Sequence, residues 1–262
     1  MKSLIKTGLG MLILAIVLIA ASAGFMRAHA ATGSIVASEN RTVDAQIVNL
    51  VVSGSMDLVL RQASTPAMTV KGDALMLSHV TTKMEGNTLY IGTRGLIFTT
   101  RQPLVVELTL AHLEKLQMMG SGDSNVRGFR GGNLTLQTRG SGDLNFDGEY
   151  QQVKVSSEGS GDLKLVILSN DKLDIAAQGS GDLNVKGQTK SLSVKLSGSG
   201  DLDAASVKAS QVTIDSLGSG NARVSASQEI TLHLTGSGDI TVVGNPPKRN
   251  VVRSGSGDIH WQ

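Results

Sequence analysis

The sequence predicts an all-β protein, a right-handed parallel β-helix (β-solenoid) with about 19–20 residues per repeat, preceded by an N-terminal signal peptide. Three observations predict it. A short phrase, Gly-Ser-Gly-Asp, recurs at a nearly fixed interval; apolar and polar residues alternate with period two on both sides of it; and glycine is abundant while aromatics make up only 3 % of the chain. Self-similarity at a fixed period is the mark of a stacked repeat, in which each unit buries its apolar face against the next.

The phrase begins at Gly120, Gly140, Gly159, Gly179, Gly198, Gly218, Gly236 and Gly255, at intervals of 20, 19, 20, 19, 20, 18 and 19 residues. Six and four residues before the first glycine stand pairs such as Val153 and Val155, Leu173 and Ile175, Leu192 and Val194, and Ile230 and Leu232. Four and six residues after it stand Leu144 and Phe146, Leu163 and Leu165, Leu183 and Val185, and Ile240 and Val242. The intervening positions are polar, as in Lys154, Ser156 and Glu158. Alternation with period two marks a half-buried strand, and its parity is kept across the glycines, so the chain bends there without exchanging its faces. The glycines share the inward parity, where a side chain would crowd the bend, and the serine and aspartate face out. Polar segments such as "KGQTKS" (186–191) and "SASQE" (225–229) are read as the turns that return the chain to the next coil. Parallel crossovers are overwhelmingly right-handed, which sets the expected hand of the helix.

Ahead of the repeats, Lys2 and Lys6 precede an apolar run from Gly8 to Met26 that ends at Ala28-His29-Ala30, the pattern of a cleaved secretory leader. The expected organisation is therefore a signal peptide at 1–30, a short linker at 31–42 and one β-helical domain at 43–262. Within that domain, 43–112 are irregular N-terminal rungs and a cap, and 113–262 are the regular repeats. Cutting after Ala30 leaves 21 basic against 22 acidic residues, so the exported chain is almost neutral. No basic stripe with interleaved aromatics survives, which argues against nucleic acid as a partner. The chain has no cysteine, so neither a disulfide framework nor a lipid-anchored leader is available.

A worn copy of the unit starts at Gly54 with "GSMD", flanked by Val48, Leu50, Leu58 and Leu60 on inward parity, and places the first rungs near Val43. Two strand-like runs then break the period: "TTKMEGNTLYIG", with a turn at Glu85-Gly86-Asn87, and "PLVVELTL" from Pro103. A cap is expected there, because an open terminal rung would template aggregation. The order "VDAQIVNLVVSGSMDLVLRQ", then "KGD" and "TLYIG", then "LTLAHLEKLQMMGSGDSNV" followed by GSGD phrases, resembles the bacterial head-GIN-domain family of auto-transporter adhesin-like proteins, over roughly Val43 to Asp239. The resemblance implies an exported β-helical protein of a bacterial envelope, and it carries no binding residues to transfer.

The phrase itself is the main candidate for chemistry. Asp123, Asp143, Asp162, Asp182, Asp201, Asp239 and Asp258 are expected to form an outward column beside a ladder of serines. Like charges one rung apart repel by about 1 kcal/mol in water, so something must offset them. A calcium ladder would do so, since hard cations take several carboxylate oxygens. Calcium-binding β-rolls, however, bring two turns together with a nine-residue period, whereas one aspartate arrives here per coil. The other reading has each aspartate accept backbone N–H groups of its own bend or the neighbouring rung. Asn221, which takes the aspartate's place in the sixth phrase, keeps the acceptor and drops the charge, and favours this second reading. No metal site or cofactor is otherwise expected: His79, His112, His233 and His260 lack zinc-ligand spacing, no serine sits in a G-x-S-x-G elbow, and no helix follows the glycines to bind phosphate.

These features point to a non-enzymatic exported interaction module, an adhesin-like protein whose partner is an envelope or surface component, protein or glycan. Membrane contact is expected only through the leader, if it is uncleaved. Two alternatives stay open: a calcium-binding surface protein, and a carbohydrate-active β-helix enzyme. The enzyme would need an aromatic-lined groove with clustered acids and bases, whereas Arg139, Lys164, Lys195 and Arg223 are spread singly through the repeats and Tyr150 and Trp261 lie far apart. The C-terminal rung is expected to be covered by Trp261 and the "NPPKRN" segment at 245–250.

Overall fold

A strand with one apolar face cannot be stable alone, and in this chain the faces are satisfied by stacking coil upon coil. The computed structural model describes residues 36–95 and 103–262; the leader at 1–30 lies outside the described residues. Strand β1 (Val36–Arg41) is followed by the first coil, made of β2 (Asn49–Gly54) and β3 (Met56–Gln62), which meet at the "GSMD" corner. The chain then leaves the stack as β4 (Ala67–Asp73) and a single helical turn, α1 (Ala74–Leu77), capped where the Leu75 N–H donates to the Asp73 carboxylate at 3.0 Å. A hairpin follows, β5 (Val80–Glu85) and β6 (Thr88–Thr93), its turn made at Gly86 with φ +57°. Then come β7 (Leu104–Leu110) and β8 (Lys115–Gly120).

From there the coils are regular: β9 (Ser124–Gly140), β10 (Leu144–Ser157), β11 (Leu163–Ala177), β12 (Leu183–Leu196), β13 (Leu202–Ser216) and β14 (Ala222–Leu234) pair in parallel, each with the next. The last coils are β15 (Ile240–Val243) and β16 (Lys248–Arg253), both on β14, with β17 (Ile259–Trp261) on β15. Equivalent residues sit in register, Leu144 on Leu163, Leu163 on Leu183 and Leu183 on Leu202, and each is no more than 2 % exposed. The inward parity read from the sequence is the core of the protein. Burying one such aliphatic side chain is worth about 1.5–3 kcal/mol, and the column repeats the gain at every coil.

The first coil lies inside the stack although it comes early in the chain. β2 pairs with β8 on one side and β6 on the other, and β3 pairs with β9 and β7. Beyond this layer the pairing turns antiparallel: β5 covers β6, β4 covers β7, and β1 lies along β4. The irregular runs thus close the parallel edge with an antiparallel cap of strands. Val36–Arg41, in the stretch expected to be a linker, belongs to that cap: the Arg41 guanidinium donates to the carbonyls of Leu77 and Val80 at 3.1 and 2.7 Å and fastens β1 to it. On the outermost C-terminal coil, Arg249 occupies a position held by aliphatic residues in earlier coils. Its guanidinium lies 4.1 Å from the centre of the Trp261 ring, and the two residues stand in register with the buried Ile230 and Val242 of the coils beneath.

In two respects the structure differs from the sequence reading. The segments "KGQTKS" and "SASQE" lie within β12 and β14, because the second corner is a shallow bend through which the strands continue. The glycines, too, answer to a different constraint: a Cβ on Gly140 would fall 1.9 Å from the carbonyl oxygen of Gly120, and one on Gly142 would fall 2.0 Å from that of Gly122. Glycine is demanded by backbone resting on backbone between coils, more than by crowding inside one. Gly140 also takes φ +140°, where side chains are rare.

Gly142→Ala is expected to lower unfolding stability by about 3 kcal/mol, whereas Gly132→Ala, whose Cβ would meet nothing within 4 Å, should change it by less than about 1 kcal/mol. Urea unfolding followed by circular dichroism checks the pair; equal effects would contradict the stacking argument.

Candidate functional site

The aspartates fall in a single exposed file, and their carboxylates are tied to the backbone of the following coil. The N–H groups of Asp123, Asp143, Asp162, Asp182 and Asp201 donate to Oδ1 of Asp57, Asp123, Asp143, Asp162 and Asp182 at 2.8–2.9 Å. The Asn221 N–H donates to Asp201, the Asp239 N–H to the Asn221 side-chain oxygen, and the Asp258 N–H to Asp239, at 2.7–2.9 Å. Asn221 thus serves as the aspartates do. The same corner is braced by its main chain, since Ser160 N–H donates to Gly140 O at 2.9 Å and Leu144 N–H to Asp162 O at 2.9 Å. The repulsion along the column is offset by N–H dipoles, one for each carboxylate from Asp57 to Asp239, while Asp258 at the end pairs with Arg253 at 2.9 Å. Side-chain bonds within the serine ladder join Ser55 to Ser121 at 3.1 Å and Ser180 to Ser199 at 3.3 Å. Spaced one to a rung, the acids do not converge; among the described residues no three His, Asp or Glu side chains meet at a point that could hold a metal ion.

The concave feature of the surface lies at the other corner. Adjoining hollows of about 710, 370 and 550 Å³ share lining residues and form one trench across the coils. Its floor is the inward column Gly131, Tyr150, Asn170, Thr189 and Ala209, in register from coil to coil except for a shift between Tyr150 and Asn170. Its walls are the residues on either side, among them Glu149 and Gln151, Ser169 and Asp171, Gln188 and Lys190, and Lys208 and Ser210. Register shifts between Gly148 and Gln152, Ile167 and Asn170, and Ala204 and Ala209 also lie here, with two more shortly before the trench, between Asp147 and Gly148 and between Asn184 and Lys186. The unequal repeat lengths are thus absorbed on this side, while the glycine corner stays constant.

Charges along the trench are largely spent on each other: Arg130 pairs with Glu149 at 3.4 Å and Lys190 with Asp171 at 2.7 Å. Tyr150 is a buried part of the floor, its hydroxyl donating to Leu113 O at 2.7 Å. Gly131 makes room for it, since a Cβ there would approach the ring to 2.7 Å. Burial, with the Glu114 carboxylate adding to it, pushes the Tyr150 phenol well above its usual pKa of about 10. Asn170, 7 % exposed, donates through Nδ2 to Lys172 O at 3.1 Å, and its Oδ1 has no partner among the described residues.

Of the residues considered for chemistry, Arg139 is held by Glu158 at 2.8 Å on the glycine corner, and His233 by Asp215 at 2.6 Å. His79 sits on the cap and His112 at the N-terminal end of the trench. The structure does not bring the four histidines together. Tyr90 and Trp261, the exposed aromatics among the described residues, do not line the trench. Sequence reasoning passed over the trench because its segments look like turns. The available signal was Asn170 and Thr189, polar residues on inward parity.

The family described as "Putative auto-transporter adhesin, head GIN domain" matches residues 48–166 and 147–246. No curated protein matches the chain. Among solved structures, one titled "putative adhesin" from Parabacteroides distasonis aligns with TM-score 0.79 at 19 % identity, over 87 % of this chain and 98 % of its own. Another from Parabacteroides merdae aligns with TM-score 0.74 at 21 % identity, over 87 % and 96 %. A third from Parabacteroides distasonis, titled "putative lipid binding protein", aligns with TM-score 0.74 at 22 % identity, over 86 % and 96 %. At these identities the likeness is one of fold.

Asp162→Ala should cost about 1 kcal/mol and Asp162→Asn markedly less, because only the first removes the acceptor; denaturant unfolding of the two variants compares them. Melting is expected to coincide in EDTA and in excess calcium, and a large calcium-dependent rise would contradict the ladder's self-sufficiency. With a folded pKa raised above the unfolded value, Tyr150 favours folding fully below about pH 10, and that contribution is lost as pH rises further. Tyr150→Phe should therefore melt with a shallower alkaline decline than the parent protein between about pH 9 and 11.

Proposed function

The chain belongs to the head GIN domain family, and from that premise we propose that it is an exported, non-enzymatic envelope protein of adhesin-like role that holds its partner in the trench along the second corner. The observation that carries the reading is the continuity of that trench across successive coils, with exposed amides and hydroxyls on its walls. A repeated scaffold offers this kind of extended binding surface. The residues bear on catalysis as well. Two acid–base pairs of the trench, Asp171 with Lys190 and Glu149 with Arg130, are bonded to each other and so withdrawn from general acid–base chemistry. A trench of Ser, Gln and Asn is also unsuited to a lipid tail, which needs a mostly apolar pocket.

The test is retention of the purified chain on isolated bacterial envelopes and on intact cells. Gln188→Trp and Ser210→Trp, which fill the trench from an exposed and a half-buried position, should reduce retention at least about tenfold, equivalent to 1.4 kcal/mol. Ser199→Trp, on the glycine corner, should leave it unchanged. Equal retention by all three variants would contradict the trench reading, and release of new reducing ends from envelope polysaccharide would contradict a non-enzymatic role.

A further inference from the structure

We propose that the trench takes a neutral, unbranched polysaccharide laid along the solenoid axis, an inference that rests on the trench reading above and names its ligand class. The first argument is shape. Floor and walls repeat at each coil, at roughly the 4.8 Å spacing of stacked strands, so the surface suits an extended polymer better than a compact molecule. Charge is the second. The carboxylates and the Lys and Arg cations lining the trench are Glu114, Glu149 and Asp171 against Arg130, Lys190 and Lys208, with His112 also in the lining, a balance that gives a polyanion or a polycation no strong net attraction.

The third argument is hydrogen bonding. Gln151, Ser169, Gln188 and Ser210 each carry both donor and acceptor capacity, as sugar hydroxyls do. Asn170 lines both the 370 and the 550 Å³ hollows, and its Oδ1, buried just beneath their join, has no partner among the described residues. Buried polar atoms are nearly always paired, so this orphan is satisfied when a small movement of the floor lets a ligand hydroxyl or a bridging water reach it. An extended peptide fits less well. Peptides commonly bind by adding a strand to a sheet edge, and this trench runs across the strands over the face of the sheet, where no edge is offered.

With no exposed aromatic lining the trench among the described residues, each sugar contributes little and affinity must accumulate along the polymer. The experiment uses the natively processed chain, with dextran, laminarin and mannan as neutral probes and alginate and heparin as anionic ones. Affinity electrophoresis and titration calorimetry give the binding. At least one neutral polymer should bind, its affinity rising at least about tenfold from a disaccharide to an oligomer long enough to span several coils. Binding should change less than about twofold between 50 and 500 mM salt. It should fall at least about tenfold in Gln188→Trp and stay intact in Ser199→Trp.

Binding of the anionic polymers alone, with steep salt dependence, would overturn the proposal. So would neutral-glycan binding that survives Gln188→Trp. If no neutral polymer binds yet trench filling still abolishes envelope retention, the ligand class assigned here is wrong and the trench has another occupant. If trench filling leaves retention unchanged as well, the trench reading itself falls.

Discussion

At the Gly-Ser-Gly-Asp corner one coil rests its backbone directly on the next, and the register of the remaining residues follows from that contact. The carbonyl of Gly120 occupies the space a side chain at position 140 would need, and the same relation repeats up the stack. The aspartate carboxylate then reaches forward to the N–H of its counterpart, so each corner is both close-packed and hydrogen-bonded. In a sheet with one buried face, a slip of one residue would turn every leucine outward. A corner that admits only glycine at two positions, and an acceptor at a third, leaves the stack no alternative register.

Holding one corner constant frees the other to vary. Repeats of 18, 19 and 20 residues coexist because the second corner takes up the difference, with bulges and register shifts that interrupt the ladder there. Recognition surfaces tend to lie where a rigid scaffold tolerates local change. Here the tolerant side is also the concave side, so the corner that fixes the stack and the trench proposed to bind lie on different edges of the same coil. The division explains why the aspartate column, the most regular chemical feature of the sequence, has a structural partner for each of its carboxylates along the stack, while the ordinary-looking segments between phrases build the trench.

Much of the fold was legible in the residues. The parity of Leu144, Val153 and Leu163 about the glycines stated which side chains form the core, and "GSMD" at Gly54 identified the first coil despite its lost glycine. Asn221 showed that the aspartate position needs an acceptor more than a charge, though only coordinates could show that the donor comes from the following coil. What stayed hidden depends on contacts between distant segments. That β2 and β3 lie between strands later in the chain follows from long-range pairing, which no local pattern encodes. The trench was obscured because a shallow bend and a tight turn share one polar composition, and only their hydrogen bonding tells them apart.

The stacking account is tested most directly by amide hydrogen exchange, resolved residue by residue by NMR, at Asp143, Asp162 and Asp182. These residues are exposed, yet their N–H groups are committed to a carboxylate of the preceding coil. Protection comparable to that of the core amides of Leu144 and Leu163 is the predicted result. Exchange at the rate of unprotected surface amides, with the leucines still protected, would show that the carboxylate ladder does not hold the coils in register.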